Sequence, residues 1–201
     1  MRDIILLISI VFFGINVAYP QVGIGTTSPT AELEIATTNT GIPALELNVQ
    51  TAPAGTSTGQ LAVIGDKLYM YDGARTKWLS IEATALLFGR SGNQDNVNLR
   101  AVSNQSNNRS GYLMPYDGTI TYITAKSNNN SGAQSKEFSV QVRNGNTTNS
   151  TTNFTTSSSE DMSTTLNVDF SSGDYINGTI NNDGNGNVNN VSVIVWVKWR
   201  Q

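Results

Sequence analysis

The chain has 201 residues, a formal net charge of −3, no cysteine and no histidine, and only 13% of its residues are charged. Those absences exclude disulfides, thiol nucleophiles, cysteine-ligated metal centres and every mechanism that needs an imidazole, and a pI of about 4.8 lacks the basic footprint of a nucleic-acid binder. Asn, Thr, Ser and Gly fill the place of the missing charges and favour turns and exposed strands over helix interiors, so the expectation is an all-β, extracellular, non-enzymatic protein with no cofactor and no metal.

Met1-Arg2-Asp3 is a short polar start, and Ile4 to Ala18 is nearly continuous apolar sequence. That run is shorter than the ~20 residues a membrane-spanning helix needs. It fits the hydrophobic region of a secretory signal peptide over residues 1–21, cleaved between Ala18 and Val22, against the alternative of a retained anchor. A lipoprotein anchor needs a cysteine at the new N-terminus, and the chain has none. The mature product is expected to be secreted or held at the cell surface, with no membrane contact after cleavage.

Residues 22–82 are punctuated by Gly23, Gly25, Pro29, Gly41, Pro43, Pro53, Gly55 and Gly59. The apolar pieces between them are too short for helices. Gly65-Asp66 and Asp72-Gly73 lie between apolar runs, the short-range hairpin signal. This segment reads as a short β-hairpin stalk with little core of its own. A domain boundary is expected at Glu82–Ala83, and the only stretch that admits a helix is Ile81 to Phe88.

Residues 83–201 carry strand-like runs separated by polar turns. Ile120, Tyr122 and Thr124 alternate with Thr121, Ile123 and Ala125; Phe138, Val140 and Val142 alternate with Ser139, Gln141 and Arg143; Leu166, Val168 and Phe170 alternate with Asn167, Asp169 and Ser171. Asp174 to Ile180 and Val191 to Trp199 complete the set. Turns are expected at Asp117-Gly118, Asn144-Gly145 and Asn177-Gly178, with a loop over Asn181 to Asn190. This spacing argues a β-sandwich.

Gln21-Val22-Gly23-Ile24-Gly25-Thr26-Thr27-Ser28-Pro29, followed by Ala31-Glu32-Leu33-Glu34-Ile35, resembles the mature start of exported Bacteroidetes surface proteins and of phage tail-fibre-like proteins. Lys67-Leu68-Tyr69-Met70-Tyr71-Asp72-Gly73 with Lys77-Trp78 is similar to their shaft hairpins. Tyr112 to Ile120, Phe170 to Ile176 and the closing run to Trp199 resemble the jelly roll shared by the C1q/tumour-necrosis-factor superfamily and the exosporium glycoprotein C-terminal domain. The resemblance implies a jelly-roll head acting by binding as a homotrimer, without the collagen-like stalk common in that superfamily.

Candidate chemistry is sparse. Glu160-Asp161 is an adjacent carboxylate pair, but neighbours on an extended chain point to opposite sides, so it reads as a solvated loop rather than a glycosidase pair. Asp183-Gly184-Asn185-Gly186-Asn187 opens like a calcium loop, yet Val188 and Ile194 stand where glycine and glutamate are needed; it reads as a flexible hairpin tip. A Ser-His-Asp triad cannot be built, and no Ser-x-x-Lys spacing is present. The Asn-x-Ser/Thr triplets at Asn104, Asn108, Asn146, Asn149, Asn153 and Asn190 follow from composition.

The last run is the most informative. Val191, Val193, Val195, Val197 and Trp199 share one parity and suit a core face. The other parity reads Ser192, Ile194, Trp196, Lys198 and Arg200, with large apolar side chains where a solvated face should be polar. Ile194 and Trp196 are expected to line a trimer interface with Lys198 and Arg200 at its wetter end. The rival is that Trp196 is a platform for a sugar ring. The expected function is attachment or surface architecture through the trimeric head, toward a glycan or a surface protein; a carbohydrate-binding module is the alternative.

Overall fold

The computed structural model describes residues 21–101, 111–128, 135–156 and 162–200, and every regular element among them is a β-strand. Residues 1–20 of the expected signal peptide, Glu160-Asp161, Asn104 and Asn108 lie outside the described residues. The chain divides into two compact units, Met1–Leu47 and Asn48–Gln201.

In the first unit, β1 (Val22–Ile24) and β2 (Leu33–Ile35) pair in parallel, with Val22 beside Leu33 and Ile24 beside Ile35. Among the described residues no second layer covers this ribbon, and Val22, Ile24 and Leu33 are all more than half exposed, at 54%, 54% and 58%. The hairpins expected at Gly65-Asp66 and Asp72-Gly73 lie further along the chain, where Leu61–Ile64 pairs with Lys67–Asp72, and Lys67–Asp72 with Lys77–Gln94, in antiparallel fashion.

The second unit holds the other strands: β3 (Val49–Gln50), β4 (Leu61–Ile64), β5 (Lys67–Asp72), β6 (Lys77–Gln94), β7 (Val97–Asn98), β8 (Tyr112–Leu113), β9 (Gly118–Asn128), β10 (Lys136–Asn144), β11 (Thr147–Thr156), β12 (Met162–Phe170), β13 (Tyr175–Ile180) and β14 (Val188–Arg200). A seven-stranded sheet runs β12-β9-β14-β6-β5-β4-β3. A five-stranded sheet runs β11-β10-β13-β7, with β8 also paired to β13. One buried cluster draws on both sheets, among them Ile123, Val193 and Val195 from the first and Phe138, Val140 and Ile176 from the second. A smaller cluster of Ala62, Ile64 and Tyr69, with Trp78 against it, lies under the β4–β5 hairpin.

Period-two patterning explains most of this. Val191, Val193, Val195 and Val197 all lie in the core, as do Phe138, Val140 and Val142. Gly65-Asp66 joins β4 to β5, and Gly145, at φ 56°, turns β10 into β11. Two bulges break the expected alternation. Thr121 has no partner between the Ile120–Val197 and Tyr122–Trp196 pairs, so Ile120 and Ile123 both face inward. The register of β12 against β9 shifts likewise between Thr165 and Val168.

Three expectations are corrected. Ile81 to Phe88 is strand, because it sits inside β6 and pairs with β14 from Leu79 to Gln94. The boundary drawn at Glu82–Ala83 also falls inside β6, and the compact units part at Leu47 instead. Asn177-Gly178 is no turn but the middle of β13. A Cβ at Gly178 would meet Leu99 Cδ1 at 3.1 Å, so this glycine lets a core side chain approach the strand.

Candidate functional site

β14 lies between β6 and β9, so each outward side chain on it has a neighbour on either hand. Ile194 stands opposite Leu87 on β6 and Thr124 on β9. Trp196 stands opposite Ala85 and Tyr122. Leu87 is 57% exposed and Trp196 37%, while Ile194 and Tyr122 are half-buried. These residues make a contiguous apolar patch on the face turned away from the core. Sheet faces that meet water are ordinarily polar. Covering apolar area is worth roughly 25 cal/mol per Å².

Sequence parity found Ile194 and Trp196 but not Leu87 and Tyr122. Those two join the patch only through strand register, which a single run of residues does not carry. Lys198, opposite Ala83 and Thr119, continues the outward row. Arg200 does not: the register shifts between Lys198 and Arg200, and its guanidinium turns to Phe170 O at 3.4 Å, Asp169 at 3.7 Å and Asp117 at 3.9 Å. Trp199 packs on the core edge-on to Phe170.

A second arrangement was not legible as a unit. The Lys136 side chain, 1% exposed, donates to Asp95 at 2.5 Å, Asp183 at 2.8 Å and Gly186 O at 2.9 Å. Asp183 also accepts the backbone N–H groups of Glu137 and Asn185. Burial pushes the Asp183 carboxyl up, but the Lys136 hydrogen bond, those backbone donors and the Lys136 charge outweigh it and hold the group at about 2. Burial alone would lower the Lys136 pKa; its hydrogen bonds to Asp183 and Asp95 and their charges raise it above the ordinary value. The segment expected to be a flexible hairpin tip is therefore a pinned loop, tied by one lysine to the start of β10 and to the β6–β7 turn. Among the described residues no three His, Cys, Asp or Glu side chains gather where they could hold a metal ion.

A third arrangement ties the β5–β6 turn across the sheet. Arg75 donates to Leu166 O at 2.8 Å and Thr121 O at 3.1 Å, carbonyls that lie at the two bulges, and pairs with Asp72. Lys77 reaches Asn167 and Asp169 at 2.7 and 2.6 Å. Burial pushes the Asp169 carboxyl up, but the hydrogen bonds from Lys77 and Thr119 and the charges of Arg200 and Lys77 hold it below the usual range.

No family model, no curated protein and no solved structure matches the chain. What the residues can do follows from the geometry alone: the patch offers apolar contact area, and the ion-pair clusters hold loops in place.

Proposed function

We propose that the protein is an exported, non-enzymatic surface or fibre-tip protein that mediates attachment through a trimeric jelly-roll head. The fold part of this reading is supported by strand pairing. The antiparallel pairs β6·β14, β8·β13, β9·β12 and β10·β11 nest one inside another along the chain, with β10–β11 the innermost hairpin. A ribbon of nested pairs rolled over a core is the plan of a jelly roll, with two sheets facing each other.

The single observation that carries the assembly part is the outward patch of Leu87, Ile194, Trp196 and Tyr122. A contiguous apolar surface rimmed by polar residues marks an interaction site. Closed symmetry repeats each contact in every subunit, so a small patch becomes a substantial interface. The stalk side agrees: Ile42, Leu45, Val49 and Leu61 are exposed, which suits a segment whose apolar residues are covered by other copies. Light scattering on the purified chain tests the reading. Trp196→Ala is expected to lose the trimer at low micromolar concentration. Retention of the assembly with loss of glycan binding would hand Trp196 to the sugar-platform reading instead.

A further inference from the structure

Away from the outward patch, the second unit holds an open cleft of about 400 Å³. Its walls come from the β4–β5 turn, the loops before β9 and before β13, and the end of β14. The volume lies within the range of small-molecule sites. The loops before β9 and before β13 and the end of β14 are already knitted together. Ser172 N–H donates to Asp117 at 2.8 Å, Ser172 Oγ to Pro115 O at 2.9 Å, and Arg200 N–H to Asp117 O at 3.0 Å. The walls therefore need little ordering when a ligand arrives.

Its chemistry is aromatic and evenly charged. Tyr116 is 55% exposed, with Trp199 edge-on at 5.8 Å and 79°. The Lys67 ammonium rests 3.9 Å from the centre of the Tyr116 ring. Among the described residues Lys67 has no carboxylate partner. Arg200 is held only by the long contacts to Asp117, Asp169 and Phe170 O, and its Nε has no hydrogen-bond partner among the described residues. Asp66 and Asp117 balance Lys67 and Arg200, so the cleft has no net charge to attract an ion. A packing gap between a hairpin and a sheet would be apolar and dry. This one is open and sets donors and acceptors around a partly exposed aromatic ring capped by the long Lys67 side chain.

We propose that this cleft binds a neutral saccharide. A pyranose has an apolar C–H face that stacks on an aromatic ring and a rim of hydroxyls, each both donor and acceptor. One sugar ring takes the Tyr116 face now covered by the Lys67 ammonium. Lys67 swings aside to donate to a hydroxyl, and Asp117 and Asp66 accept from others. The volume suits a mono- or disaccharide. So small an open site implies weak single-site binding, with a millimolar Kd, which repetition around an assembly raises by avidity. The proposal gives the attachment reading a ligand class and depends on it only for that avidity, since the cleft is complete within one chain.

The test is saturation-transfer NMR on the full chain against neutral mono- and disaccharides of hexoses, deoxyhexoses and N-acetylhexosamines, with a uronic acid and acetate as charged probes. Transfer from at least one neutral sugar is expected. Tyr116→Ala should weaken it tenfold or more, Lys67→Met should weaken it several-fold, and Trp196→Ala should leave the per-chain signal unchanged. Tyr116→Leu, which keeps apolar bulk without the ring, should fail to bind while melting like the parent, which separates stacking from misfolding. Silence from every neutral sugar, transfer that survives Tyr116→Leu, or tighter binding of the uronic acid or acetate would overturn the proposal. Silence from a chain that remains trimeric sinks the cleft and leaves the assembly reading standing.

Discussion

The two compact units treat the same kinds of residue in opposite ways. In Asn48–Gln201 the inward-facing valines and isoleucines of β9, β13 and β14 are sealed between sheets, with Val193, Val195 and Ile176 at 0% exposure. In Met1–Leu47 Val22, Ile24 and Leu33 of β1 and β2 are more than half exposed. Strand propensity is similar in both; what differs is the availability of a second layer. A strand pair cannot bury an apolar face by itself, whereas stacked sheets can. The larger unit thus has an internal core of its own, while the smaller one leaves Val22, Ile24 and Leu33 uncovered among the described residues.

The largest expected effect lies in the sealed core. Phe138 is fully buried and stacks on Phe154 with ring centres 5.6 Å apart. Phe138→Ala should cost about 3–5 kcal/mol in chemical denaturation. A loss below about 1 kcal/mol would mean that the two sheets do not share one core.

Next comes the buried lysine. Lys136→Met leaves Asp183 and Asp95 facing each other's charge without the ammonium and should cost roughly 3 kcal/mol. The pH dependence has a definite sign. The Asp183 pKa lies below its unfolded value, so its contribution is complete above about pH 4 and is lost as pH falls through about 2. That loss amounts to roughly 2–3 kcal/mol and should shrink in Lys136→Met. The Lys136 pKa is raised, so its contribution holds below the ordinary lysine value and fades only as pH rises through the folded one. Stability curves against pH for both proteins check this; an acid limb unchanged by the mutation would contradict the pairing.

Truncations sharpen the contrast at its boundary. Starting the chain at Asn48 should leave the melting of the larger unit unchanged at concentrations where the chain is a monomer, because its core is internal. Starting at Ala83 should lower it, since that cut removes β3 to β5, the tethers of Arg75 and Lys77, and Ser80, whose hydroxyl accepts the Trp199 N–H at 3.0 Å. Equal melting of the two fragments would restore a boundary at Glu82–Ala83.

Much of the fold was legible because alternation at β10 and β14 is a local signal, and Asn144-Gly145 and Gly65-Asp66 sit where hairpins require them. What escaped has a common physical reason. The bulge at Thr121, the glycine at 178 and the Lys136 cluster depend on a neighbouring strand or loop distant in sequence. The continuity of β6 through Glu82 is likewise set by its partner β14 and not by its own composition. In the outward patch, Ile194 and Trp196 were readable as apolar residues of the wrong parity, but their neighbours Leu87 and Tyr122 needed the register.

The most direct measurement is the mass of the purified mature chain in solution by multi-angle light scattering across the micromolar range, beside Trp196→Ala and Leu87→Ser. Three chains per particle for the parent, falling to one in both variants, is the expected result. A parent that runs as a single chain at every concentration, or variants that keep the parent's mass, would contradict the trimeric head.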